Sequence, residues 1–166
     1  MRHGVLCEAA VYKVDEDKWE ILPNMHRRMG LSSGVFMDGM FYVIGVPREG
    51  SQRYDPNRGV WTTINNMSLQ THQDALYAFG RLIAFRRGVV DEYDWEGNVW
   101  KQFDLIPEDI EFDLATVWCD RIFFYTNFPR PIFYLYKPTA ALSDTWTPIN
   151  VYYPAMEIMC MTTIEI

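Results

Sequence analysis

Apolar and polar residues alternate in short runs along this chain, and few segments carry the period of a long amphipathic helix. SGVFMDGMFYVIG, DALYAFGRLIAFR and LATVWCDRIFFYT each set two β-prone runs about a central turn, at Asp38-Gly39, Phe79-Gly80 and Cys119-Asp120. Asp-Gly between such runs is a strong hairpin signal, because Asp and Gly tolerate the positive φ that a tight turn needs. Gly39, Gly80 and Asp120 recur at intervals of about 40 residues.

A second pattern runs in the same phase. VYKVDEDKW, RYDPNRGVW and EYDWEGNVW pair Tyr12 with Trp19, Tyr54 with Trp61 and Tyr93 with Trp100, at one common spacing. Tyr136 and Trp146 form a fourth, looser copy. The turn chemistry of Asp55-Pro56-Asn57-Arg58-Gly59 and Asp94-Trp95-Glu96-Gly97-Asn98 separates Tyr from Trp in two copies. Each unit therefore reads as four short strands: a and b flank the first turn, c ends near the Tyr, and d carries the Trp. A four-stranded unit at this period predicts an all-β β-propeller of about four blades. As one domain, the chain divides into a half blade at 1–32, blades at 33–73, 74–112 and 113–154, and a closing segment at 155–166. The ends either seal a compact ring or leave a partial propeller, whose open edge invites homo- or hetero-dimerisation.

The Tyr-Asp pairs Tyr54-Asp55 and Tyr93-Asp94, each followed by a Trp, resemble the kelch repeat. HRRMGLSSGVFMDGMFYVIG is most similar to plant F-box/kelch-repeat proteins. The usual glycine doublet after strand b is reduced to Gly45, to Gly88 after two arginines, and is missing at Thr126-Asn127. The resemblance implies a protein-interaction module of the kind that recognises substrates in ubiquitin-ligase adaptors. The chain opens almost at once on a strand c, so no F-box is expected within it, and docking to a ligase would rest on another chain.

Composition narrows the function classes. Fifteen basic and 22 acidic side chains give a net charge of −7, which argues against nucleic acid as partner. No uncharged apolar run is long enough for a membrane span. The three cysteines, Cys7, Cys119 and Cys160, are odd in number and far apart. That pattern predicts a reducing, intracellular compartment, cytoplasm or nucleus, rather than a disulfide framework.

No catalytic constellation emerges. GxSxG, HExxH and P-loop patterns are missing, and His3, His26 and His72 lack metal-ligand spacing. Neither cofactor nor metal is expected. The alternatives are a metal-dependent enzyme or specifier protein on the same scaffold, or a truncated copy without function of its own. Trp19, Trp61, Trp100 and Trp146 recur in phase, as packing between blades requires, so all four are expected in seams. Alternating strand direction puts the b–c and d–a loops on one face. His26, Arg27 and Arg28 fall in a d–a loop, Arg48, Arg86, Arg87 and Arg130 in b–c loops, and Glu108, Asp109 and Glu111 in another d–a loop. This face, with one basic and one acidic sector, is the candidate surface for binding another protein. Solvated charge, or salt bridges between the two sectors, is the plainer reading of any single arginine.

Overall fold

The computed structural model describes residues 7–29, 32–45, 50–64, 72–111, 113–118, 121–126, 132–137 and 146–149. Strands β1 (Ala9–Lys13) and β2 (Lys18–Leu22) form a two-stranded ribbon. Three four-stranded sheets follow. The second sheet holds β3 (Ser32–Met37), β4 (Met40–Gly45), β5 (Ser51–Asp55) and β6 (Val60–Ile64). The third holds β7 (His72–Ala78), β8 (Arg81–Arg86), β9 (Val89–Asp94) and β10 (Val99–Leu105). The fourth holds β11 (Leu114–Trp118), β12 (Arg121–Thr126), β13 (Ile132–Tyr136) and β14 (Trp146–Ile149). Within each sheet, strands pair antiparallel in chain order. Among the described residues the only helical element is a single 3-10 turn at Val14–Glu16. The fold is all-β, a propeller of about four blades. The proposed closing segment 155–166 lies outside the described residues.

The turns follow from local chemistry. Asp38 and Gly39 take φ of 49° and 74°, and Phe79 and Gly80 take 55° and 73°, which matches the primed turn that a two-residue hairpin requires. Between β5 and β6, Asp55 Oδ1 accepts from the N–H groups of Asn57 (2.9 Å) and Arg58 (3.1 Å). Asp94 does the same between β9 and β10, toward Glu96 and Gly97. A short carboxylate that mimics a backbone carbonyl reverses the chain without a long loop.

Alternation along the strands gives every sheet two faces. One, here called upstream, looks toward the preceding sheet, and the downstream face looks toward the next. Tyr54 and Trp61 lie on an upstream face and pack with Val43 against Ala9, Leu22 and Met25 of the first sheet and its following loop. Downstream, Val35, Met37, Tyr42, Ile44 and Ile64 meet the upstream residues Leu82, Ala84, Tyr93 and Trp100 of the third sheet. Ile83, Phe85, Val90, Ile106 and Ile110 then meet Ala115, Ile122, Phe124 and Tyr136 of the fourth, with Trp146 packed against them. The core is thus three stacked seams rather than one central mass. Strand β7 touches both β3 and β11, so the first strands of the three full sheets line the inner side.

Polar clasps repeat at the seams as well. Ser33 Oγ accepts from the Ala75 N–H at 3.2 Å, and Asp74 Oδ2 accepts from the Ala115 N–H at 3.1 Å. Ser33 also donates to Asp74 Oδ1 at 2.8 Å, so Asp74 ties three inner strands together. In the outer part of the first seam, Trp61 Nε1 donates to the Pro23 carbonyl at 2.8 Å. Its counterpart Trp146 Nε1 is buried and finds no acceptor among the described residues.

Trp19 departs from expectation. It is 70% exposed, and no sheet among the described residues packs against the upstream face of the first sheet. The in-phase spacing assigns it to a seam face, and no described residue completes that seam.

The seams set two measurable outcomes. Trp61→Phe should cost about 1 kcal/mol more in urea denaturation than Trp146→Phe, because only the former loses a hydrogen bond that the fold makes. Burial, and then the hydrogen bond that Tyr136 donates to Asp104 (2.7 Å), push the Tyr136 phenol far above its ordinary value near 10.0. The unfolded chain ionises this group near 10.0 and the native chain does not, so its stabilising effect is complete below that pH and is lost above it. Stability measured from pH 9 to pH 11 should therefore fall less steeply in Tyr136→Phe, by up to ~1.4 kcal/mol per pH unit.

Candidate interaction face

The loops that follow b strands and d strands emerge on one face. On it lie residues 23–29 after β2, the Arg87-Gly88 turn between β8 and β9, and residues 106–111 after β10. Two contacts fix their relation. The Ile106 N–H donates to the Gly88 carbonyl at 3.1 Å, and Arg87 meets Glu111 at 3.2 Å.

His26, Arg27 and Arg28 are exposed, but the backbone beneath them is held. Gln52 Oε1 accepts from the N–H groups of His26 (2.7 Å) and Arg27 (3.3 Å), and Gln52 Nε2 donates to the Arg27 carbonyl (3.1 Å). Gln52 is fully buried. A buried amide with both ends used is costly to displace, since any alternative leaves polar atoms unpaired. The loop is thereby presented on a fixed base rather than as a loose strap. The side chains of Arg27 and Arg28 make no ion pair with a described residue.

The structure separates the other candidates. Arg86 is the last residue of β8, and its guanidinium folds inward onto Asp91 at 2.5 Å. Their side chains are 15% and 7% exposed, so this pair braces the turn from within the sheet. Arg87, the next residue, points outward and is 88% exposed on its side chain. Its link to Glu111 is a salt bridge between the basic and acidic sectors, the plainer role that the sequence left open for it. Glu108 and Asp109 are exposed and make no ion pair with a described residue. Arg48 and Arg130 lie outside the described residues.

Gln52, Asp74 and Asp91 are not singled out by the sequence pattern. Gln52 and Asp91 each sit two residues before the repeat tyrosine, Tyr54 or Tyr93. That register puts both on upstream faces, where one secures a neighbouring loop and the other an arginine of its own sheet. The phase of the tyrosines is the signal that could have found them.

Two hollows lie elsewhere. Gly34, Phe36, Leu76, Tyr77, Thr116 and Val117 line a shallow groove of about 280 Å³ between the inner strands. On the face opposite the loops, a hollow of about 450 Å³ is bordered by Tyr93, Trp95, Glu96 and Lys101. There Lys101 pairs with Asp94 at 2.5 Å. This bond, with the N–H groups of Gly97 and Glu96, holds the Asp94 carboxyl below its ordinary value. No group of three or more His, Cys, Asp or Glu among the described residues is placed to hold a metal ion. No helix among them is long and apolar enough to cross a membrane.

Comparison with known proteins agrees with this architecture. No family model matches the chain. An F-box/kelch-repeat protein of Arabidopsis thaliana is 31% identical over 63% of this chain and 31% of its own length. Kelch-like protein 11 of Mus musculus is 25% identical over 76% of this chain and 20% of its own. The chain thus has kelch-repeat homologues, and it spans about a third or less of their length. The solved structure of YjhT superposes with a TM-score of 0.63, covering 86% of this chain and 58% of that one, at 11% identity. That likeness shows the fold alone.

The buried pair and its exposed neighbour predict opposite outcomes. Arg86→Ala strands Asp91 and should cost about 3 kcal/mol in urea denaturation. Arg87→Ala removes only a solvent-screened pair and should stay within about 1 kcal/mol.

Proposed function

We propose that the chain is a non-catalytic interaction module that binds another protein through its loop face. Arg27, Arg28 and Arg87, with His26 beside them, form the basic sector, and Glu108 and Asp109 form the acidic one. Arg86 supports this surface from inside and does not itself touch the partner. The observation that carries the reading is the Gln52 clamp, which fixes the backbone under two arginines that make no ion pair with a described residue. A guanidinium on a preorganised backbone forks onto a carboxylate with little ordering cost. The partner surface is therefore acidic where it meets Arg27 and Arg28. The kelch-repeat homologues support an interaction role, and the F-box/kelch name of the plant relative extends it to the substrate-recognition part of a ubiquitin-ligase adaptor inside the cell.

Affinity capture from native extract tests this, comparing the wild type with a triple Arg27→Glu, Arg28→Glu, Arg87→Glu variant. The proteins recovered by the wild type should be lost from the variant, with its thermal midpoint unchanged. A ligase scaffold or its substrate among the lost proteins supports the adaptor role. Undiminished capture by the variant overturns the assignment of the face.

A further inference from the structure

The tight c–d turns of the second and third sheets start alike, each on a carboxylate, Asp55 or Asp94, that accepts from two following N–H groups. The next residue is Pro56 in one and Trp95 in the other. A turn that closes on proline does not need an indole, so the backbone does not account for Trp95. Nor is the ring spent on the core, since it stays 40% exposed. Edge contacts hold it in place, with centroids 4.5 Å from Tyr93 and 5.3 Å from Tyr42 of the second sheet.

Trp95 stands in the hollow of about 450 Å³ on the face opposite the loops, and every residue that lines it belongs to the β9–β10 hairpin. Three carboxylates, Glu92, Asp94 and Glu96, share it with one ammonium, Lys101. Lys101 is taken by Asp94, and Glu92 by Arg81 at 2.9 Å. Glu96 is exposed and makes no ion pair with a described residue. The described tight turns of this face add Asp15, Glu16, Asp17 and Asp38, against Arg58. Such a face draws cations and repels anions. The same sheet shows which cation fits. Arg81 lays its guanidinium 4.7 Å from the centre of the Phe103 ring while it donates to Glu92. A ring beside a carboxylate is there the seat of an arginine. Trp95 and Glu96 offer the same pair, with no described arginine seated on it.

We propose that the hollow is a second docking site, distinct from the loop face, for an arginine side chain on a basic segment of a partner protein. The guanidinium lies over the indole and forks toward Glu96. Arginine suits this seat better than lysine, because its flat, weakly hydrated group stacks on a ring while its N–H groups reach a carboxylate. One such seat binds weakly by itself and sets specificity within a longer contact.

NMR of the isotope-labelled intact chain tests this, with the capped tripeptide acetyl-Gly-Arg-Gly-amide as probe. Titration should saturably shift the Trp95 indole N–H and the Glu96 and Gly97 amides, with an affinity that falls as salt is added. The citrulline counterpart, similar in shape and uncharged, should bind about tenfold more weakly, and the lysine counterpart about threefold. Trp95→Leu should weaken the arginine peptide about fivefold, and Glu96→Gln about threefold. Asp109→Asn, on the loop face, should leave its binding unchanged. If Trp95→Leu fails to fold, Glu96→Gln at its exposed turn position carries the test alone. Equal binding of the arginine and citrulline peptides overturns the proposal, and equal binding of the lysine peptide overturns the assignment to arginine. Shifts centred on residues 106–111, or binding undiminished in the folded variants, overturn the site. So does a Trp95 indole that never responds, the result expected if another part of the chain fills the hollow.

Discussion

The structure depends on one repeated interaction, a tyrosine and a tryptophan paired across strands c and d and pressed against the sheet before them. The flat rings fill the wedge between twisted sheets with large apolar area, and their polar tips reach the margin. Tyr136 satisfies its hydroxyl on Asp104 of the third sheet, and Trp61 satisfies its indole on Pro23. Because each pair leans on the preceding sheet, stability passes along the chain as a series of seams rather than residing in one core. The first pair in the series has no described sheet to lean on, and Trp19 is exposed while its counterparts are buried or half-buried.

The same geometry builds the loop face. Strand c begins on that face and runs away from it toward the repeat tyrosine. A polar residue two positions before the tyrosine lies near the loops yet within the seam, where a hydrogen bond is worth most to loop order. Gln52 uses that position to hold the His26–Arg27 backbone, and Asp91 uses it to draw in Arg86. Surface charge and fold chemistry are therefore separated by a single residue along the chain. Arg86 belongs to the sheet, and Arg87 belongs to the surface.

Much of the fold is legible in the letters. Asp38-Gly39 announces its hairpin through the φ that Gly and Asp accept, and the Tyr and Trp spacing announces strands c and d through period and phase. The candidate face is legible only in outline. Loop charge is visible in a sequence, but whether an arginine is spoken for depends on the side of a strand end from which it projects. Arg86 reads as loop, because nothing in RRG shows that β8 runs to its first arginine. Gln52 shares the face of Tyr54 in SQRYD by alternation, but the loop backbone that it holds is known only once the strands are assembled. Trp19 is misplaced for a related reason. Phase reveals that a residue has a seam face, but a neighbour is a property of the assembled chain.

The repeat tryptophans share one structural position and differ only in whether a sheet covers them. Fluorine NMR of protein labelled with 5-fluorotryptophan, at dilute concentration with a soluble paramagnetic probe, separates the covered from the uncovered. Strong broadening is expected for the Trp19 resonance and little for Trp61, with Trp100 and Trp146 close to Trp61. Equal broadening of all four, or a Trp61 resonance as accessible as that of Trp19, would contradict a shared position covered in one case and bare in the other.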